Sequence, residues 1–154
     1  MQINKEDTWL EICEFTAQKL AKCVRRKYAA IIIADNGRVL GIGYNGAPPR
    51  IAHCDDGGCP RASLNVGHGT SYDNCIAVHA EANALLWTDI DMRQGATLIV
   101  NGPPCYSCAK LICGSGIKKV VCYMDYEYKN FDQVLDLFDK AGIQIRVKEK
   151  KCQI

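Results

Sequence analysis

The sequence predicts an α/β protein with three layers, in which a five-stranded mixed sheet carries helices on both faces. Short runs rich in isoleucine and valine alternate with segments of helical periodicity. A tight-turn tripeptide at 35–37 joins the first two strands into a hairpin. The later strands are separated by helices long enough to cross the sheet, which indicates parallel pairing. At 154 residues, the chain is predicted to form one domain, 1–154.

The first elements are a helix and a hairpin. Residues 8–24 carry apolar side chains at helical spacing, and Thr8 is placed to cap the helix. An isoleucine-rich strand is predicted at 28–34, and the Asp-Asn-Gly turn at 35–37 returns the chain as a second strand at 38–44. The long segment that follows, 45–74, is rich in turn-forming residues, and we expect it to be functional or pinned by a metal.

The second half of the chain alternates helices and strands. The predicted elements are, in chain order, a helix at 79–87, a strand at 97–101, a helix at 105–113, a strand at 119–123, a helix at 131–141 and a strand at 143–147. Pro104 marks the start of the helix at 105–113, because proline is favoured at the beginning of helices. The last crossover contains a helix, so the fourth and fifth strands should be parallel.

Composition limits the kind of protein this can be. Apolar residues make up 48% of the chain, and 19 basic against 17 acidic residues leave a net charge of +2. We therefore expect no nucleic-acid partner, which would need a basic face, and no membrane span, which would need about 18 consecutive apolar residues. Ten cysteines without a recognisable export signal favour a reducing cytoplasmic setting, with thiols that bind zinc.

Two short motifs carry the expected chemistry. His79 lies two residues before Glu81, and a double proline at 103–104 leads into Cys105 and Cys108. Three protein ligands leave the fourth position of a tetrahedral zinc site open to water, so we predict Zn²⁺ on His79, Cys105 and Cys108. Glu81 would carry protons. A CxxC pair alone could equally be redox-active or structural, but the combined pattern is typical of zinc-dependent base deaminases.

Two further clusters have less specific meanings. The adjacent cations Arg25 and Arg26 suit a single phosphate, although a solvated helix end would look the same. Several thiols and one imidazole in and near the long loop could hold a second, structural zinc through four of their number, or be ordinary reduced side chains. These residues are Cys23, expected on the first helix, with Cys54, Cys59, His68 and Cys75.

The chain resembles the deoxycytidylate (dCMP) deaminases of phage and bacterial type, within the zinc-dependent cytidine deaminase superfamily. The matching segments are Cys23-Val24-Arg25-Arg26, Gly43-Tyr44-Asn45-Gly46-Ala47-Pro48, His53-Cys54-Asp55-Asp56, His79-Ala80-Glu81-Ala82-Asn83 and Pro104-Cys105 with Cys108-Ala109-Lys110. The resemblance implies a cytidine deaminase-like fold and the hydrolysis of dCMP to dUMP and ammonia, which supplies dTTP synthesis. It also implies activation by dCTP and inhibition by dTTP, each bound with Mg²⁺, in a homohexamer.

The resemblance further implies roles for individual residues. Asn45 would bind the sugar 3′-hydroxyl, Ala80 would contact the base through its backbone, and Arg25 or Arg26 would bind the 5′-phosphate. Tyr126 would pack against the nucleotide, with Tyr123 and Tyr128 as alternatives.

An effector site is expected next to these residues. Backbone N–H groups of the glycine-rich loop would approach a triphosphate, and two carboxylates would bind it through Mg²⁺. The residues concerned are Gly43, Tyr44, Asn45, Gly46, Asp55 and Asp56.

Two other functions compete with this interpretation. The same chemistry could act on dCTP, on another cytidine nucleotide, or on tRNA adenosine, but the balanced charge disfavours tRNA. The chain could also be a non-catalytic zinc-binding protein of the assembly or competence type. A non-catalytic protein would not require a proton-carrying carboxyl group, so the presence of Glu81 disfavours this alternative.

Overall fold

The architecture follows the predicted order of elements. The computed structural model describes residues 5–62, 74–124 and 128–150. Within those residues the helices are α1 (Lys5–Leu20), α2 (Ala80–Leu86), α3 (Tyr106–Cys113) and α4 (Phe131–Ala141), with a 3₁₀ turn at Cys54–Asp56. The strands are β1 (Ala29–Ile33), β2 (Val39–Tyr44), β3 (Thr97–Val100), β4 (Lys119–Met124) and β5 (Gln144–Glu149).

The five strands form one mixed sheet in the order β2-β1-β3-β4-β5. β1 pairs antiparallel with both β2 and β3, whereas β3, β4 and β5 run parallel. The hairpin turn contains Gly37 at a φ of 83°, a conformation that glycine adopts without steric cost. The predicted mixed sheet, its hairpin and its parallel β4–β5 pair are confirmed.

Helices cover both faces of the sheet. Alternate residues of β1 point to opposite sides, so that Ile31 packs with Leu10 and Cys13 of α1. Ile32 packs in the second cluster, which contains Ala84 of α2. The helices α3 and α4 belong to that second face. The predicted three-layer fold is therefore confirmed, and no helix in the described ranges is long and apolar enough to cross a bilayer.

The predicted boundaries of the first helix are wrong. The helix begins at Lys5, so Thr8 lies inside it and does not cap it. It ends at Leu20 because the next segment turns to pair with the end of the hairpin, where the Lys22 N–H donates to the Asn45 carbonyl at 2.9 Å. Cys23 consequently lies outside the helix on which it was expected.

Helix α2 packs unusually close to β2. A Cβ atom added to Gly43 would lie 2.2 Å from the Ala80 carbonyl oxygen and 2.3 Å from the Ala84 nitrogen. Only glycine fits at this position, because both obstacles are backbone atoms of α2. The missing side chain therefore allows the first turn of α2 to lie directly against the sheet.

Ion pairs attach α1 to the parallel half of the sheet. Glu6 accepts hydrogen bonds from Lys119 of β4 and Arg146 of β5, and Asp7 accepts one from Lys148. Burial alone raises the pKa of Glu6, but the bonds and charges of Lys119 and Arg146 outweigh it. The pKa of Glu6 therefore lies below its ordinary value.

Candidate metal and catalytic site

Two helix N-termini meet at the candidate site. His79 is the N-cap residue of α2, and Cys105 is the N-cap residue of α3. Pro104 is fully buried and leads the chain from β3 into α3. The partial positive charge of a helix N-terminus favours thiolate over thiol, so this placement suits cysteine ligands.

The three predicted ligands lie within bonding reach of one cation. The Nδ1 atom of His79 is 3.4 Å from the Sγ atom of Cys105 and 3.4 Å from that of Cys108. Tetrahedral zinc with ordinary bond lengths places nitrogen and sulfur ligands about 3.6 Å apart. Within the parts of the chain that the structure describes, this is the one group in which three donor atoms lie within 4.8 Å of one another. The donor set and its spacing fit zinc.

Hydrogen bonds shift the pKa values of the two thiols in opposite directions. The Cys108 side chain and the His79 ring both bond to Cys105, and the Cys108 backbone N–H donates to the Cys105 sulfur at 3.4 Å. These bonds lower the pKa of Cys105 to about 4. The bond to Cys105, together with burial, raises the pKa of Cys108. A coordinating cation would remove this proton, because metal-bound thiols are deprotonated.

Glu81 lies beside the ligands in a buried position. Its side chain is 5% exposed, and burial raises the pKa of its carboxyl group, opposed in part by the nearby His79. The thiol of Cys108 is within hydrogen-bonding reach of the carboxyl group. A carboxyl group whose pKa is raised toward the operating pH is suited to act as both base and acid.

Two polar side chains attach α2 to its surroundings. Asn83 donates from Nδ2 to the Tyr44 carbonyl at 2.8 Å, which ties the helix to the end of β2. Arg93 is 9% exposed and donates to the carbonyls of Leu85, Thr88 and Ser115 at 2.8, 2.6 and 2.8 Å. Sequence reasoning missed Asn83 and Arg93 as supports of the site, although Asn83 lies within the matching motif.

The predicted substrate residues lie around the start of β1 and α2. Ala80 is fully buried in the first turn of α2, and Asn45 is 7% exposed at the end of β2. Asn45 uses its amide within the protein, because Oδ1 accepts from the Tyr28 N–H at 2.9 Å and Nδ2 donates to the Arg26 carbonyl at 2.8 Å. Arg25 is exposed, and Arg26 places Nη1 3.3 Å from the Tyr28 hydroxyl.

The candidate tyrosines separate by location. Tyr126 lies outside the described residues. Tyr123 packs under α1, on the sheet face opposite α2 and α3. Tyr128 accepts a hydrogen bond on its hydroxyl from the Tyr106 N–H at 3.2 Å, at the start of α3 next to Cys105. Of the two alternatives, only Tyr128 lies on the side of the candidate site.

Three of the four cysteines predicted at a second zinc site lie near the fourth, Cys54. Burial raises the pKa of Cys54 to about 12, together with its bond to Cys59 and the proximity of Cys23 and Cys75. The bond from Cys54 contributes to a lowered pKa of Cys59. The fifth candidate, His68, lies outside the described residues. The fold therefore brings together thiols from three separate segments.

Two backbone N–H groups of the predicted effector loop donate to carbonyls of the chain itself. The Asn45 N–H donates to the Tyr28 carbonyl at 3.1 Å, and the Gly46 N–H donates to the Val78 carbonyl at 3.3 Å. Gly43 and Tyr44 lie within β2, where Gly43 serves the contact with α2. The N–H groups of Asn45 and Gly46 therefore bond to carbonyls of the chain itself, and effector binding at this loop stays a prediction. Asp55 and Asp56 are exposed, and Asp55 pairs with Lys22 at 3.3 Å.

Comparison with known proteins decides the family. Residues 3–124 match the model of the cytidine and deoxycytidylate deaminase zinc-binding region. The chain belongs to this deaminase family. It is 45% identical over 121 residues to the deoxycytidylate deaminase of Mycobacterium phage D29, and the alignment covers 75% of this chain and 91% of the phage protein. The family predicted from the sequence motifs is therefore confirmed.

Other members of the deaminase family differ in length or in sequence. The deoxycytidylate deaminase of Schizosaccharomyces pombe is 36% identical over 132 residues, but the match covers 84% of this chain and only 40% of the yeast protein. The dCMP deaminase of cyanophage S-TIM5, solved in complex with dCMP and dUMP, superimposes with a TM-score of 0.73. That likeness covers 96% of this chain and 99% of the other at 24% identity, and it confirms the predicted deaminase fold.

Proposed function

We propose that the protein is a hydrolase that deaminates dCMP to dUMP and ammonia, with zinc held by His79, Cys105 and Cys108. The observation that carries the proposal is the buried carboxyl group of Glu81 beside three donor atoms whose spacing fits tetrahedral zinc. The names of the related deoxycytidylate deaminases support dCMP as the substrate.

Glu81 performs the proton transfers. A zinc ion held by the three ligands would supply a Lewis acid and lower the pKa of water to about 7. Glu81 takes a proton from the attacking water and delivers it to N3 of the cytosine ring as the C4–O bond forms. It then takes the proton of the new C4 hydroxyl and delivers it to the amine, which leaves as ammonia when the C4–N bond breaks. Burial suits Glu81 to this role, because a raised pKa brings the carboxyl group closer to the operating pH.

Substrate contacts come from the segments around the ligands. Ala80 presents its backbone to the base edge, and Arg25 or Arg26 binds the 5′-phosphate. Asn45 still has one N–H and one lone pair after its two backbone bonds, so it retains the capacity to bind the sugar 3′-hydroxyl. Tyr126 packs against the nucleotide, or Tyr128 does so from the start of α3.

The test separates metal binding from proton transfer. Glu81→Gln should lower kcat for ammonia release from dCMP by roughly 10²–10⁴-fold and leave zinc content unchanged, because a general acid–base contributes about that factor. Cys105→Ala should lose zinc and activity together. A parent enzyme that releases no ammonia from dCMP would refute the proposed function. Loss of zinc from Glu81→Gln would show that Glu81 is a ligand.

A structural zinc is proposed at the second cysteine cluster, through four of Cys23, Cys54, Cys59, His68 and Cys75. The bond between Cys54 and Cys59 and the proximity of Cys23 and Cys75 to Cys54 support it. Metal analysis of the parent should then give two zinc ions per chain, and Cys54→Ala should give one. A single zinc in the parent protein would exclude this site.

Regulation belongs to the same proposal. We infer that dCTP activates and dTTP inhibits, each with Mg²⁺ held by Asp55 and Asp56, which matches an enzyme that supplies dTTP synthesis in the cytoplasm of a bacterium or a phage-infected host. The two adjacent carboxylates offer the oxygen ligands that Mg²⁺ prefers. Asp55→Asn with Asp56→Asn should weaken both effector responses and leave basal turnover largely intact. Unchanged responses to dCTP and dTTP would place the effector site elsewhere.

Assembly into a homohexamer is also proposed. The surface after α2 exposes four apolar side chains, at 71, 74, 50 and 63% of their area, which supports burial between subunits. They are Leu86, Trp87, Ile90 and Met92. Light scattering of the parent should give the mass of six chains, and Trp87→Glu should give a smaller species. A monomeric parent would contradict the assembly.

A further inference from the structure

The segment that carries the candidate phosphate-binding arginines is held by two asparagine side chains. Asn45 follows β2 and Asn101 follows β3, and β1 lies between these strands and runs antiparallel to both. The carboxyl ends of β2 and β3 therefore flank the amino end of β1. The chain that enters β1, residues 26–29, passes between the two asparagines.

The two amides bind this segment in a regular pattern. Asn45 accepts from the Tyr28 N–H at 2.9 Å and donates to the Arg26 carbonyl at 2.8 Å. Asn101 accepts from the Ala29 N–H at 2.8 Å and donates to the Lys27 carbonyl at 3.1 Å. Four successive residues thus give one backbone group each to a side-chain amide. We call Asn45, Asn101 and these four bonds the asparagine clamp.

Burial makes the asparagine clamp stiff. Asn101 is 2% exposed and Asn45 is 7% exposed, so water does not compete for their amides. Asn101 also donates from Nδ2 to the Glu14 carboxylate of α1 at 2.9 Å, which fixes the amide from the opposite side. Removing the Asn101 amide would leave the buried Ala29 N–H without its side-chain acceptor.

The asparagine clamp is connected to both elements that carry metal ligands. Asn101 lies four residues before Cys105, and the fully buried Pro104 stiffens the connection. Asn45 follows the strand end that packs on the first turn of α2, next to His79 and Glu81. The clamp therefore connects the backbone of Arg26 to both elements that carry the ligands.

We propose that Asn101 is a positioning residue for nucleotide recognition, which sets the place of Arg26 by clamping residues 26–29. The inference rests on the proposed function and extends it, because it names what makes a nucleoside monophosphate a better substrate than a nucleoside. Asn101 touches neither the metal ligands nor the base in this role. It acts through the backbone that carries Arg26.

The experiment compares dCMP with deoxycytidine, which has no phosphate. Asn101→Ala should raise KM for dCMP about tenfold, equivalent to about 1.4 kcal/mol. It should change kcat/KM for deoxycytidine by less than about threefold and leave zinc content unchanged. A double-mutant cycle with Arg26→Ala tests the mechanism. In the Arg26→Ala background, Asn101→Ala should produce no further rise in KM for dCMP.

A second pair of substitutions is available if Asn101→Ala does not fold. Asn101→Asp combined with Glu14→Gln exchanges the donor and acceptor between these two side chains. It keeps the hydrogen bonds to Ala29 and to residue 14 and loses the bond to the Lys27 carbonyl. It also turns the ion pair of Lys150 with Glu14 into a hydrogen bond to a neutral amide. We expect the same selective rise in KM for dCMP. The control is Asn130→Ala, an exposed helix-cap asparagine without a side-chain cap bond, which should leave both substrates unaffected.

The outcomes distinguish the clamp from the proposed function. If the parent deaminates neither substrate, the proposed function fails. If the parent is active but Asn101→Ala lowers turnover of dCMP and deoxycytidine equally, Asn101 has only a structural role and the inference is overturned. An undiminished effect of Asn101→Ala in the Arg26→Ala background would also overturn it, because Asn101 would then not act through Arg26.

Discussion

Substitution of Gly43 should move the helix that carries His79 and Glu81. In Gly43→Ala the new methyl group would lie 2.2 Å from the Ala80 carbonyl oxygen. The ordinary van der Waals distance between such atoms is about 3.5 Å. Strand and helix must therefore separate by about 1.3 Å, since the obstacles are backbone atoms. Overpacking of this kind costs about 1–3 kcal/mol of unfolding free energy. A displacement of about 1 Å at a catalytic group lowers activity about 100-fold.

Urea denaturation and ammonia release from dCMP measure the two effects of Gly43→Ala separately. The matched control is Gly114→Ala at the end of α3, where φ is −87° and the nearest atom to a new Cβ is 3.8 Å away. Gly114→Ala should keep both parental values. If Gly43→Ala retains parental stability and turnover, the close approach of β2 and α2 does not set the position of the catalytic residues.

Two other substitutions test how the elements around the site are held. Arg93→Met leaves the carbonyls of Leu85, Thr88 and Ser115 without their charged donor. This substitution should lower the unfolding free energy by about 3 kcal/mol in a urea titration. The control Arg38→Met, at an exposed position, should have little effect. Equal stabilities would exclude Arg93 as the anchor of α2. Glu6→Gln should destabilise the fold by about 1 kcal/mol at pH 7. The folded-state pKa of Glu6 lies below its ordinary value of 4.5. The stabilising contribution of Glu6 is therefore complete above about pH 4.5 and disappears as the pH falls through the lower folded value. The unfolding free energies of parent and variant should converge in acid. A stability difference that is the same at pH 3 and pH 7 would show that the ionised Glu6 carboxylate is not the stabilising group. The control is Asp136→Asn, which breaks the exposed ion pair of Asp136 with Lys140.

The parts of the fold that were predicted correctly depend on local sequence. The Asp-Asn-Gly turn specifies a hairpin by its own backbone preferences, and Pro104 marks the start of α3 almost to the residue. The CxxC spacing at 105–108 places both thiols in one helical turn wherever the helix lies. These features needed no knowledge of distant residues.

The errors concern positions that distant contacts determine. The end of α1 depends on the bond from Lys22 to Asn45, which no local pattern reveals. Gly43 lies against a helix 37 residues further along the chain, and the local sequence does not reveal that contact. Asn101 follows a buried strand directly, and that is the only local sign of its contacts with residues 27 and 29.

The ion pairs of α1 also have a consequence for the order of folding. Glu6 and Arg146 are separated by 140 residues, and α1 precedes every other described element. Closing so large a loop costs conformational entropy before any contact compensates it. The apolar face of α1 can pack on β1 early, but its ion pairs must wait until β4 and β5 are in place. We therefore expect these ion pairs to form late, limited by the arrival of the distant strands.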